Sequence, residues 1–129
     1  MLSLLNSLPN AFMPTPGQSL VVQGVTEKYA TDLLQGGFES FVGHESFAQI
    51  LSERTGVEIP VHRGMAPSPM GGFGAKALVA MVQPPRRLAE GEAWTEEEIL
   101  AMPITWVLVM SATTDLAERA RQDMAFRYV

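Results

Sequence analysis

The chain has 129 residues, 47% of them apolar, no cysteine and a net charge of −5. One domain of this length buries about two-thirds of its unfolded surface. The absence of thiols rules out a disulfide framework and thiolate metal centres, and the acidic balance argues against a broad basic face for long DNA or RNA.

Met1-Leu2-Ser3-Leu4-Leu5 is apolar, but it lacks a basic flank and meets Asn6 and Pro9 almost at once. It reads as a short central strand over 2–6 rather than a signal peptide. Residues 7–17 hold Pro9, Pro14 and Pro16 and form a loop. Residues 19–25 are β-rich. Thr26 is placed to cap a helix over 27–35, which Gly36-Gly37 ends.

A second helix is expected from about His44 to Thr55, with Phe47, Ile50, Leu51 and Arg54 three and four apart and Gly56 as its stop. Residues 57–65 are extended, and 67–74, rich in proline and glycine, form a flexible connection. Residues 75–83 and 104–111 are the strongest strands. Between them lies a Pro-Pro-Arg-Arg loop, followed by a short helix opened by Thr95 with Glu96, Glu97 and Glu98 facing solvent. Thr113 or Thr114 caps a final helix to about Phe126 along Leu116, Ala120 and Met124. The pattern is α/β, a mixed sheet of about five strands with helices packed on it. The run Ile104 to Met110 is too short to cross a bilayer, so the protein is expected to be soluble and cytoplasmic.

The run Phe41-Val42-Gly43-His44-Glu45-Ser46 places an imidazole at the mouth of a helix. Free backbone N–H groups and the positive end of the macrodipole attract phosphate there. A histidine at that point is suited to general-acid work, and the alternative is an ordinary histidine bonded to backbone. Seven of the nine basic residues are arginines, whose planar forks suit bidentate phosphate contacts. Arg63, Arg86 and Arg87 are the candidates, against simple surface ion pairing. Glu90, three residues after Arg87, is either a solvated charge or a carboxylate that orients a sugar hydroxyl or the histidine. His44 and His62 are not at zinc-ligand spacing, no GxSxG elbow is present, and Gly71-Gly72-Phe73-Gly74 reads as a hairpin rather than a phosphate loop. No metal and no cofactor are expected.

Four blocks in order carry a resemblance: Leu4-Leu5-Asn6-Ser7, Val42-Gly43-His44-Glu45-Ser46, Ile59-Pro60-Val61-His62-Arg63, and the run from Val82 to Glu92. Together they resemble the small viral anti-CRISPR ring nucleases over roughly residues 1–112, with 113–129 a helical extension of the same domain. The resemblance implies a homodimer in the host or infected cell that clasps cyclic tetra-adenylate, the second messenger of type III CRISPR defence. It also implies metal-independent cleavage by attack of a ribose 2′-hydroxyl on the adjacent phosphorus. On that pattern His44 matches the histidine that protonates the leaving 5′-oxygen, and Glu90 a loop carboxylate that assists. Arg63 and Arg87 match phosphate contacts, and Asn6 and Gln83 polar pocket residues. The chain departs from the pattern at 7–17, at 67–74 and in its tail, and Pro84-Pro85 stiffens the loop. The alternatives are a non-catalytic module that sequesters a cyclic oligonucleotide or binds a partner protein and, more distantly, a DNA-binding regulator, against which the acidic charge counts. No membrane partner is expected.

Overall fold

Strand β5 (Ile104–Ser111) shows how this sequence makes a sheet. Its continuous β-branched and apolar run pairs antiparallel with β4 (Lys76–Val82) on one side and β2 (Leu20–Val25) on the other. Beyond β4 the sheet continues with β1 (Leu2–Leu5) and the two-residue β3 (Glu39–Ser40), both parallel to it, giving the order β2-β5-β4-β1-β3. These elements belong to a computed structural model that describes residues 2–70 and 75–112. The expected hairpin at 71–74 and the expected final helix lie outside the described residues.

Both faces of the sheet are covered, which is why β4 and β5 read as unbroken apolar runs rather than alternating ones. Leu4, Leu78, Ala80 and Trp106 face one way, against Ala30 and Leu34 of α1 (Glu27–Gln35) and Ala48 and Leu51 of α2 (Glu45–Thr55). Their neighbours Leu5, Val79 and Val107 face the other way, as the two-residue period of a strand requires. There they meet Phe12 from a 3₁₀ turn at Asn10–Phe12, with Phe41 and Ala66 at the margin.

The helix ends follow the expected chemistry. The Thr26 hydroxyl accepts from the Tyr29 amide and caps α1. Gly56 adopts φ 71° at the end of α2, the left-handed conformation that glycine takes without a Cβ penalty. Thr95 and Glu98 form a reciprocal capping box at α3 (Glu96–Ala101). Glu98 therefore does not simply face solvent: it caps the helix and also meets Arg86 at 3.2 Å.

Arg54 keeps the expected spacing with Phe47, Ile50 and Leu51, but its side chain meets charge and carbonyls. It is half-buried, 3.0 Å from Glu27, and donates to the carbonyls of Ile99 at 3.0 Å and Met102 at 2.6 Å. Glu27 also accepts from the Trp106 indole at 3.2 Å. One charge pair thus ties the start of α1, the end of α2 and the open C-terminal carbonyls of α3 to the sheet. Among the described residues no helix is long and apolar enough to cross a membrane.

Candidate functional site

Parallel pairing sends the carboxyl ends of β1, β3 and β4 to the same edge of the sheet. In open α/β sheets that edge is where ligands bind. Asn6 follows the end of β1, His44 lies four residues beyond the end of β3, and Gln83 follows β4. The register sets Leu4 opposite Ser40 and Leu5 opposite Val79. Gln83 therefore stands three residues further along than Asn6, roughly 10 Å at strand rise.

His44 is the N-cap of α2, with the extended backbone of a capping residue (φ −118°, ψ 127°) but no side-chain cap bond. Its carbonyl accepts the first helical bond, from Ala48 at 3.0 Å. The exposed ring stands edge-on to Phe47, 5.6 Å between centroids. The imidazole is thus free of the backbone at a helix end whose first-turn amides have no side-chain acceptor from the cap residue.

The approach to His44 is laced in place from the side. The Ser40 hydroxyl donates to the Pro60 carbonyl at 2.6 Å, and the His62 amide donates to the Val42 carbonyl at 2.9 Å. Nδ1 of His62 bonds the Ser40 carbonyl at 3.1 Å. Finally Arg63 donates through Nε to the Gly43 carbonyl at 3.1 Å, with its stem against the Gly43 backbone. Of the stretch expected to be extended at 57–65, residues 60–63 are held by three side-chain bonds and one backbone bond rather than by a strand ladder, and the chain bends at Val57 and Gly64. The stretch covers the edge strand β3 and leaves the Arg63 guanidinium exposed beside His44.

On the other face of the sheet, a cavity of about 200 Å³ opens between Asn6, Phe12, Phe41 and Met65. The His62 ring tilts over Phe41, 5.2 Å between centroids, at its rim. The aromatic lining was not foreseen. Phe12 sits in the proline-rich loop, where periodicity gives no face to read.

The loop 83–95 carries the remaining candidates. Its Leu88 packs with Phe47, Ile50 and Trp94 in one cluster, which brings the loop to the first turns of α2. Arg87 and Glu90 are exposed, and no described residue makes an ion pair or hydrogen bond with either. Arg86 behaves differently: it pairs with Glu92 at 2.8 Å and Glu98 at 3.2 Å and lies over Trp94. Of the adjacent arginines, one is committed and one is available. The structure thus gathers Asn6, His44 and Arg63 at one edge, with Arg87 and Glu90 on a loop anchored near it and Gln83 at the base of that loop.

The family described as STIV B116-like matches residues 4–106. Among solved structures, the chain is similar to B116 of Sulfolobus turreted icosahedral virus, with a TM-score of 0.64 and 20% identity over 84% of this chain and 97% of that one. At that identity the likeness concerns the fold. No curated protein is significantly similar to the chain.

Proposed function

This chain belongs to the STIV B116-like family, and from that premise we propose that it is a metal-independent phosphodiesterase that opens cyclic tetra-adenylate. The observation that carries the reading is His44: an uncommitted imidazole at a helix N-terminus, beside Arg63, where the parallel strands end. In the reaction a ribose 2′-hydroxyl attacks the adjacent phosphorus. A 2′,3′-cyclic phosphate forms as the P–O5′ bond breaks; the 2′-hydroxyl gives up its proton to solvent, the leaving oxygen takes one from protonated His44, and the imidazole regains its proton from water. Such proton transfer contributes roughly 10²–10⁴ in rate. In-line attack by an internal hydroxyl otherwise needs mainly placement.

Arg63 and Arg87 hold phosphate oxygens through planar forks. Asn6 and Gln83 bond polar edges of the nucleotides, and Glu90 orients the reacting groups. A homodimer doubles each cation, so a protein of net charge −5 still offers a local cationic chamber. Sequestration without cleavage is the second reading. One observation favours it: among the described residues no carboxylate bonds the His44 ring.

The test mixes purified protein with cyclic tetra- and hexa-adenylate in EDTA and resolves the products by chromatography. From the tetra-adenylate ring, cut once by each of the dimer's two His44 side chains, the expected outcome is linear di-adenylate bearing a 2′,3′-cyclic phosphate. A ring that stays bound and intact under single-turnover conditions overturns the enzyme in favour of the sequestering module.

A further inference from the structure

The loop between β4 and α3 is closed on itself by charge. Nη1 of Arg86 donates to Glu92 at 2.8 Å, Nη2 lies 3.2 Å from Glu98, and the guanidinium sits 5.1 Å from the centre of the Trp94 ring. Glu92 also accepts from the Ala89 amide at 2.8 Å, and its own amide returns to the Ala89 carbonyl at 3.0 Å. That turn passes through Gly91 at φ 78°, a backbone angle that suits glycine. Pro84-Pro85 restrict the chain just ahead of Arg86.

We infer that Arg86 is a positioning residue whose grip on Glu92 and Glu98 sets, before ligand arrives, where Arg87 and Glu90 stand relative to the N-terminus of α2. The inference rests on the phosphodiesterase reading for its catalytic consequence. Its structural basis is separate. With both arms of its fork and one face of its plane engaged, Arg86 has little left to offer a phosphate. On its far side Leu88 packs against the buried cluster of Ile50, Trp94, Ile99 and Met102, against which Phe47, the ring that His44 abuts, packs as well. Arg87 is therefore the single residue between two anchors, and Glu90 sits within the Ala89–Glu92 turn. The carboxyls hold their charge at neutral pH. Glu92 lies below its ordinary value through the Ala89 amide and then Arg86, and Glu98 through the Thr95 amide, its hydroxyl and Arg86.

Exposed ion pairs contribute little to global stability, so the clasp acts on geometry. That separates it from a phosphate ligand by experiment. The double variant Glu92→Gln/Glu98→Gln keeps the hydrogen-bond shapes, including the capping box, and removes two negative charges. If Arg86 were a phosphate ligand, this change would free it and tighten binding of an anion. As a clasp, its loss lowers the single-turnover rate by about tenfold to a hundredfold, the range that follows from small misplacement of catalytic groups. Arg86→Ala should match that loss with an unchanged salt slope of binding, and Arg86→Lys should recover part of it. Amide hydrogen exchange over 84–94 should accelerate in the double variant and in Arg86→Ala, while the melting temperature barely moves. Unchanged exchange, or a double variant that binds and cleaves as well as wild type or better, overturns the clasp. If wild type leaves the ring intact, the phosphodiesterase reading falls and the exchange comparison alone decides the clasp.

Discussion

Replacing His44 by alanine and, in parallel, by asparagine separates folding from chemistry at one position. The imidazole makes no cap bond and is exposed, so its loss removes one edge contact with Phe47, about 0.5 kcal/mol at an exposed aromatic pair. Both variants share that cost. They differ in that asparagine, in the extended backbone His44 already has, accepts a bond from the first-turn amides. N-cap series place that gain at about 1 kcal/mol over alanine. For a domain of this length the gain is about 3–5 °C in melting temperature. Both variants should lose the same roughly 10²–10⁴ in single-turnover rate, about 3–5 kcal/mol of barrier, with binding retained. The assays are thermal unfolding followed by circular dichroism and cleavage of cyclic tetra-adenylate in EDTA. If asparagine melts no higher than alanine, His44 is not the open cap described. A rate within fivefold of wild type removes it as the proton donor.

Arg63→Ala should weaken binding of the ring and reduce the slope of log affinity against log salt by about two, because the proposed dimer loses one phosphate-facing cation from each subunit; an unchanged slope in a titration series removes Arg63 from the ligand. The loop clasp should loosen in acid. The carboxyls of Glu92 and Glu98 are depressed by their amide donors and Arg86, so their contribution is present above the ordinary glutamate value of about 4.3 and fades as pH falls through their lower folded values. Hydrogen exchange of 84–94, corrected for intrinsic pH dependence, should stay slow at pH 6 and rise below pH 4. Gly56→Ala should cost about 1–2 kcal/mol in denaturant unfolding, since φ is 71° with no atom crowding the Cβ and the whole penalty is conformational; a neutral result denies the left-handed cap.

Elements with strong local signals were legible. β5 spans Ile104–Ser111 as its apolar run predicts, and Thr26, Thr95 and Gly56 cap their helices as their side chains or lack of one dictate. His44 could be placed at a helix mouth because Phe47, Ile50 and Leu51 set the period just beyond it. β3 could not be seen: two residues carry no alternation, and its strand character comes from pairing with Ser3 and Leu4. In the sequence Arg86 reads with Arg87 as a phosphate candidate, because its partners lie six and twelve residues on, across a reversal that only the folded loop makes. The edge bearing Asn6 and His44 was implicit in the topology, since parallel neighbours finish on one side. Sequence gives no register, and so no distance between them.

The lacing of residues 60–63 onto 40–43, from strand β3 to the mouth of α2, imposes a length constraint on a stretch that is itself neither helix nor strand. Ser40 to Pro60, Val42 to His62 and Gly43 to Arg63 form rungs at nearly matched spacing. A single insertion between Pro60 and Arg63 would put the rungs on its two sides out of step by one residue, so that the Gly43–Arg63 bond could no longer form together with the Ser40–Pro60 bond. Length variation between relatives should therefore gather outside this span, and grafting the site onto another scaffold requires transferring both threads together.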